Sequence, residues 1–175
     1  ISDGSGIASN YTLTNGTLTM TIVPRSTIVS GTKTYDGTTN VASSNLTSFS
    51  NLAGSDTLSL SGTGTISTAD VGTGKTVNAS GLTIDNSSGV GSNYTLSAAT
   101  VNVTERVIGL SGVRAFDGTN NASSTDLSIS NLVSGENLTL SGSGTVPNAT
   151  VEMNKVISLG SLSISDGSGG KSSNY

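Results

Sequence analysis

The chain has 175 residues, a formal net charge of −4, 10% charged residues and no histidine, cysteine or tryptophan. Without histidine or cysteine, the common imidazole bases, thiolate nucleophiles and zinc ligand sets are excluded, so we expect no enzyme and no resident cofactor. The seven basic residues do not form the cluster that nucleic-acid phosphates require. No apolar run approaches the roughly 18 residues of a membrane-spanning helix, so we expect no membrane insertion.

The pattern of apolar and polar residues predicts a sheet protein. Ser, Thr, Asn and Gly occupy 98 of the 175 positions, and most apolar residues are Leu or β-branched. Apolar residues alternate with Thr or Ser most clearly at residues 17–22, 57–61, 82–84 and 95–103. A period of two places one side of a strand in a core and the other in water. We therefore expect an all-β fold of antiparallel, immunoglobulin-like sandwiches, with helix-poor β-grasp repeats as the alternative.

A repeat of about 81 residues organises the chain. TYDGT at residues 34–38 returns as AFDGT at residues 115–119, SNY at residues 92–94 returns at the end of the sequence, and residues 1–11 match residues 84–94. The spacing of turn signals predicts about seven strands for each complete repeat. Three parts follow: residues 1–25, the C-terminal part of a preceding repeat (the leading segment); residues 26–106, a complete repeat (the middle repeat); and residues 107–175, a repeat that lacks its last strand (the third repeat).

The connections between repeats are short. Arg25 and Arg106 lie 81 positions apart, and each follows one predicted strand and precedes the next by two or three residues. Neither connection is a Gly/Ser linker, and Pro24 fixes the backbone of one of them. We therefore expect neighbouring repeats to form an extended, semi-rigid array that continues beyond both ends of this sequence.

The two ends of the sequence complement each other. The third repeat lacks a counterpart of residues 95–103, whereas residues 12–23 correspond to that strand in a preceding repeat. A repeat without this strand exposes an unpaired edge, which is a template for strand addition. We expect residues 12–23 of one molecule to complete the third repeat of another by head-to-tail strand exchange; the alternative is that both ends are loosely ordered.

Three motifs resemble a known family. They are KTYDGTT at residues 33–39, DVGTGKTV at residues 70–77 and SNYTL at residues 92–96. Together they resemble the YDG repeat of large bacterial surface adhesins, which are filamentous-haemagglutinin-like and often exported by two-partner secretion. The third repeat departs from the signature, with Phe116 in place of Tyr35 and Arg114 in place of Lys33.

The resemblance implies a secreted protein at the bacterial cell surface. It implies that the repeats form a structural stalk that projects a binding region for cell adhesion, biofilm formation and virulence. The partners would be neighbouring repeats of the same chain and, through other regions, a host-cell or matrix surface. The alternative function is a repeat module that itself binds glycans or polysaccharide. Sugar binding stacks on exposed aromatic rings, and Tyr94, which recurs with Asn93 beside a strand start, is expected in the core.

An aspartate followed by glycine marks a turn in both repeats, where the carboxylate caps nearby amides. These residues are Asp36 and Gly37 in the middle repeat and Asp117 and Gly118 in the third. A lysine also recurs at matching positions, as Lys75 and Lys155. A more functional interpretation pairs Asp36 with Lys75, and Asp117 with Lys155, as a staple across each sandwich.

Loops with one aspartate each, at Asp3, Asp85 and Asp166, are weak candidates for calcium sites. Calcium takes six to eight oxygen ligands and usually needs several converging carboxylates. A single aspartate in each loop favours an ordinary turn instead.

Overall fold

The computed structural model describes residues 4–11 and 19–175, and these residues form strands and short 3-10 turns without an α-helix. The strands of the middle repeat are β1 (Arg25–Thr34), β2 (Asn40–Ala42), β3 (Ser48–Ser50), β4 (Leu58–Thr65), β5 (Gly72–Thr76), β6 (Leu82–Asn86) and β7 (Tyr94–Thr104). Those of the third repeat are β8 (Gly109–Gly112), β9 (Asn121–Ser123), β10 (Leu127–Ser130), β11 (Leu138–Ser141), β12 (Ser143–Thr145) and β13 (Ser163–Asp166). The 3-10 turns are Ala8–Asn10, Ser43–Asn45, Gly91–Asn93, Ser124–Asp126 and Ser172–Asn174.

The middle repeat contains a mixed four-stranded sheet of order β3-β1-β7-β5. Its central strands, β1 and β7, run parallel over ten residue pairs, while β3 and β5 are antiparallel to their neighbours. A β-bulge at Ser97 shifts the phase of β7, and the Ser97 hydroxyl donates to the Thr27 carbonyl over 2.9 Å. After the bulge, Ala99, Val101 and Val103 point into the core and are at most 2% exposed.

A second sheet of order β2-β4-β6 packs against the mixed sheet. The core between them includes Val29 of β1, Val41 of β2 and Val101 of β7, all essentially inaccessible to solvent. Small β-branched side chains suit this position because they pack closely on a pleated surface.

The third repeat reproduces part of this arrangement. The pairs β8–β10, β9–β12 and β11–β13 match β1–β3, β2–β4 and β4–β6 of the middle repeat. No described strand corresponds to β7, and residues 152–156, which align with β5, are not in a strand. Because β7 joins β1 to β5 in the middle repeat, the third repeat has no equivalent of the complete mixed sheet.

The all-β, sandwich-like architecture is confirmed, and so are the seven strands of the middle repeat and the long strand at residues 94–104. The parallel pairing of β1 and β7 differs from the wholly antiparallel sheets that we predict from alternation, because alternation reports burial and not strand direction.

The strand predicted at residues 17–22 is not formed in its described part. Residues 19–22 lie outside any strand, and residues 17 and 18 lie outside the described part of the chain. Among residues 4–11 and 19–24, the structure contains no other strand with which they could pair. Among the described residues, no helix has the length and apolar character needed to cross a membrane.

Candidate functional site

The signature loop of the middle repeat is built around a buried cation. Lys33 is 4% exposed, and its ammonium group donates to the Thr38 carbonyl over 2.8 Å and to the Asn40 carbonyl over 2.5 Å. It also forms an ion pair with Asp36 at 2.8 Å. Asp36 in turn accepts the amide hydrogen of Thr38 over 2.9 Å. The buried ammonium group of Lys33 therefore has partners within the loop itself, which avoids the cost of burying an unpaired charge.

The charges in this loop stabilise one another. Burial raises the pKa of Asp36, but hydrogen bonds from Lys33 and Thr38 outweigh it and hold that pKa below its ordinary value. In the third repeat Arg114 replaces Lys33; it pairs with Asp117 and donates to the Thr119 carbonyl. The Thr119 amide, followed by Arg114, lowers the pKa of Asp117 to about 2. Arg114 therefore keeps two of the contacts that Lys33 makes, the one with the aspartate and the one with the carbonyl two residues after it.

A second lysine holds the neighbouring loop. Lys75 donates to the Thr68 hydroxyl over 3.0 Å and to the Asp70 carbonyl. Lys155 acts in the same way in the third repeat, where it donates to the carbonyl groups of Asn148 and Thr150 over 2.9 and 2.5 Å. Each lysine thus fixes the loop just before it in the sequence.

The predicted pairing of Asp36 with Lys75, and of Asp117 with Lys155, is wrong. Asp36 pairs with Lys33, and Lys75 is engaged by the loop that contains Asp70. The physical reason is local: a lysine three residues before the aspartate reaches it without crossing the sandwich. For the same reason Asp117 pairs with Arg114.

These two loops meet the third repeat at an interface that we call the repeat joint. One half, the Tyr35 face, belongs to the middle repeat; the other half, the Tyr175 face, belongs to the third. The Tyr35 face consists of Tyr35, Gly37, Asp70 and Val71. The Tyr175 face consists of Val133, Glu136, Lys171, Asn174 and Tyr175.

Two tyrosines share one carboxylate at the centre of the joint. The rings of Tyr35 and Tyr175 meet edge to face, with centroids 5.5 Å apart and an angle of 78° between the planes. Tyr35 donates to one oxygen of Glu136 over 2.5 Å, and Tyr175 donates to the other over 2.7 Å. Burial, followed by the bond to Glu136, raises the pKa of Tyr35 to about 12. The phenol therefore remains a hydrogen-bond donor throughout the neutral range.

An asparagine and a lysine complete the joint. Asn174 is 1% exposed; its amide oxygen accepts from the Val71 amide over 2.9 Å, and its amide nitrogen donates to Asp70 over 3.0 Å. Lys171 forms an ion pair with the other oxygen of Asp70 at 2.7 Å. The hydrogen bond from Asn174, then that from Lys171, holds the pKa of Asp70 below its ordinary value. The hydrogen-bond partners of this buried side-chain amide both lie in the middle repeat. The amide keeps these bonds only in one relative orientation of the two repeats, so it helps to fix that orientation.

Gly37 allows the two faces to approach. Its φ is +75°, and a Cβ atom at this position would lie 2.7 Å from a methyl group of Val133. Any other residue would meet both the backbone penalty of a positive φ and a clash with the next repeat. Its counterpart Gly118 has a φ of +79° but no atom near its Cβ position. The glycine of the signature therefore serves the joint as well as the turn.

Comparison with known protein families identifies the YDG domain in this chain. The sequence model of the YDG domain matches residues 16–102 and again residues 104–175. The chain belongs to the YDG domain family. No curated protein and no solved structure matches the chain.

Each YDG domain carries a preformed Tyr175-type face. In the middle repeat, Tyr94 donates to Asp56 over 2.5 Å and accepts from the Ala53 amide over 3.1 Å. Tyr175 is arranged in the same way, since it donates to Glu136 and accepts from the Val133 amide over 3.0 Å. Asn93, the counterpart of buried Asn174, is exposed. The middle repeat thus presents this face without a partner among the described residues.

The remaining residues singled out in the sequence are Phe116 and the aspartates of the candidate calcium loops. Phe116, the counterpart of Tyr35, is 67% exposed. Asp166 accepts the amide and hydroxyl hydrogens of Ser172, each over 2.8 Å, so it serves as a turn cap. Among residues 4–11 and 19–175, no three acidic side chains converge as metal ligands around Asp85 or elsewhere. Asp3 lies outside the described residues.

Sequence reasoning about this YDG-domain chain missed Asp70, Glu136 and Asn174 as joint residues. A signal existed for Glu136 and Asn174: an acid stands at residue 56 and again at residue 136, and SNY recurs at residues 92–94 and 173–175. Asp70 gave no such signal, because Thr150 stands at its counterpart. Recurrence shows that a position matters, but it does not show that its partner belongs to another repeat.

Proposed function

We propose that this chain is a segment of the stalk of a repetitive bacterial cell-surface adhesin. Its tandem YDG domains hold a separate binding region away from the cell for adhesion or biofilm formation. The stalk lies outside the cell, its partners include neighbouring repeats of the same chain, and contact with a host-cell or matrix surface is made by other regions. The resemblance to filamentous-haemagglutinin-like proteins supports two-partner secretion as the export route. The proposal assigns the repeats no catalytic role and no cofactor.

The observation that carries the proposal is the repeat joint. The signature residues Tyr35 and Gly37 contact the next repeat, as do Asn174 and Tyr175 of the SNY motif. Residues that mark the family are thus used to set the angle between adjacent domains, which is the property that a projecting stalk needs. A flexible tether would not require such contacts.

Glycan binding by the repeats has less support. Tyr35 and Tyr94 are 4% and 7% exposed, so neither presents a ring face for a sugar to stack on. Exposed aromatic side chains occur at Tyr11 and Phe116, but they belong to different parts of the chain and do not form a recurring platform.

Two measurements test the proposal. An antibody against residues 26–175 should label intact cells that produce the parent protein; labelling that requires permeabilisation would exclude a surface stalk. Removing or adding one YDG domain should change the distance between the envelope and the distal end of the protein by a constant increment in electron micrographs. If the distance does not depend on repeat number, the repeats do not act as a spacer.

A further inference from the structure

Each YDG domain carries residues equivalent to both halves of the repeat joint. The third repeat has its own version of the Tyr35 face, which we call the Phe116 face, and the middle repeat has its own version of the Tyr175 face, which we call the Tyr94 face. The Phe116 face consists of Phe116, Gly118, Thr150 and Val151. The Tyr94 face consists of Ala53, Asp56, Val90, Asn93 and Tyr94. The chain therefore holds two versions of each half, and their sequences differ.

One difference lies at the ion pair of the joint. Lys171 and Asp70 pair at 2.7 Å, and their side chains are 58% and 38% exposed. In the other version of each half, Val90 takes the place of Lys171, and Thr150 takes the place of Asp70. A charged pair in one set of faces thus corresponds to an uncharged pair in the other.

The second difference lies at the shared carboxylate. Glu136 accepts the Tyr35 hydroxyl hydrogen across the boundary over 2.5 Å. In the other version, Phe116 has no hydroxyl to donate, and Asp56 has one methylene group fewer than Glu136. Asp56 accepts from Tyr94 of its own repeat over 2.5 Å. A face without the donor thus corresponds to a face with the shorter carboxylate.

Mixing the two versions would leave charged groups without partners. Asp70 opposite Val90 would lose its cation, and Lys171 opposite Thr150 would lose its anion. A charge that gives up water without gaining a partner pays the cost of desolvation and receives nothing in return. The mixed combinations are therefore less stable than the matched ones.

We propose that the residues at positions 70 and 171, together with those at positions 35 and 136, determine with which YDG domain a repeat forms a closed joint. A face with Tyr and Asp accepts a face with Glu and Lys, and a face with Phe and Thr accepts a face with Asp and Val. In a chain of similar repeats, such matching favours docking on the sequence neighbour over docking on another copy. The inference rests on the geometry of the joint and not on the proposed stalk function.

A two-residue exchange in the whole 175-residue protein tests the ion-pair positions. Asp70→Thr and Lys171→Val each create a mismatch, whereas the double variant installs the uncharged pair. The ratio of open to closed joint is measured from distances between spin labels on cysteines introduced at exposed Thr83 and Ser141, since the chain has no cysteine of its own. Each single variant should raise this ratio about threefold, the size expected for a partly exposed ion pair.

The double variant distinguishes matching from independent contributions. It should be less open than either single variant, because its two uncharged residues suit each other. Glu152→Thr is the matched control: it removes an exposed ion pair, with Lys155 at 3.8 Å, outside the joint. Single variants that match the wild type, or a double variant as open as either of them, overturn the proposal.

Salt provides an independent measurement. At about 1 M salt an exposed ion pair is largely screened, so the ratio of open to closed joint should rise about threefold in the wild type. The double variant lacks the pair and should not respond. A merely structural role of the two positions predicts no such difference, so an equal response of both proteins contradicts the proposal.

Exchange at all four positions tests the complete set. Tyr35→Phe with Asp70→Thr converts one half of the joint, and Glu136→Asp with Lys171→Val converts the other. Each half exchange alone should open the joint about tenfold, because it also removes the bond between a hydroxyl and a carboxylate. The full exchange should be less open than either half exchange. If it is as open as either of them, the four residues do not discriminate between neighbours.

Discussion

Tyr35 of the middle repeat donates a 2.5 Å hydrogen bond to Glu136 of the third repeat, across the boundary between two YDG domains. Glu136 also accepts from Tyr175 of its own repeat over 2.7 Å. The carboxylate therefore joins an internal contact of one domain to an external contact with its neighbour. Phe116 has the position of Tyr35 in the third repeat but has no hydroxyl group, so it cannot donate an equivalent bond.

Removing the hydroxyl of Tyr35 should loosen the joint without unfolding either domain. Tyr35→Phe keeps the edge-to-face ring contact but loses the bond to a carboxylate, which costs about 1.5 to 3 kcal/mol. The measurement is the distance distribution between spin labels at exposed Thr83 and Ser141, which should broaden. Tyr11→Phe is the control, because Tyr11 is 66% exposed and lies outside the joint. Equal distributions for wild type and Tyr35→Phe would show that Glu136 does not set the orientation.

A methyl group at Gly37 should separate the two domains. Gly37→Ala introduces backbone strain at positive φ and a 2.7 Å contact with Val133, whereas Gly118→Ala introduces the strain alone. Both variants should lose about 1 kcal/mol of domain stability from the backbone term. Gly37→Ala alone should also change the distance between the labels at Thr83 and Ser141. If the two variants change that distance equally, the close approach at Gly37 has no role in the joint.

The joint should weaken at alkaline pH. Burial, followed by the bond to Glu136, raises the pKa of Tyr35 from its ordinary 10.0 to about 12, and opening the joint removes the part of this shift that Glu136 causes. Below pH 10 the phenol is protonated in both states, so its contribution is fully present there. Above pH 10 the open state, which lacks the bond to Glu136, loses the proton at a lower pH than the closed state, so the free energy of closure falls as the pH rises towards 12.

Ultraviolet titration of phenolate absorbance measures this effect. The difference between wild type and Tyr35→Phe isolates Tyr35, which should ionise near pH 12. Glu136→Gln should lower that midpoint only in part, because burial is the larger cause of the shift. A difference spectrum centred at pH 10 would indicate that Tyr35 is exposed to water and that the joint is open in solution.

Strand content and repeat length could be predicted from the sequence because each produces a pattern of residues that can be recognised without the structure. Alternation places Val101 and Val103 in a core, and the 81-residue period identifies Tyr35 and Asn174 as recurring positions. Alternation does not encode which strand is the neighbour, so the parallel pairing of β1 with β7 was not predicted. The partner of a recurring polar residue is likewise unspecified: Asp70 meets Asn174 across 104 positions of sequence, and only the fold brings them together.

The buried ammonium of Lys33 should be replaceable by a guanidinium but not by an apolar side chain. Lys33→Met leaves the carbonyl groups of Thr38 and Asn40 without their donor and should cost about 2 to 3 kcal/mol in the free energy of unfolding. Lys33→Arg should retain most of the stability, because Arg114 already holds the equivalent loop of the third repeat by its contacts with Asp117 and Thr119.

Urea denaturation of the two Lys33 variants provides the measurement. Lys171→Met serves as the control for loss of a charge, since Lys171 is 58% exposed and its ion pair contributes about 1 kcal/mol or less. The expected order of stability is wild type, Lys33→Arg and Lys171→Met close together, with Lys33→Met well below. If Lys33→Met is no less stable than Lys171→Met, the bonds from Lys33 to the loop carbonyls contribute little. The signature loop would then be held by Asp36 and its contacts with Thr38 alone.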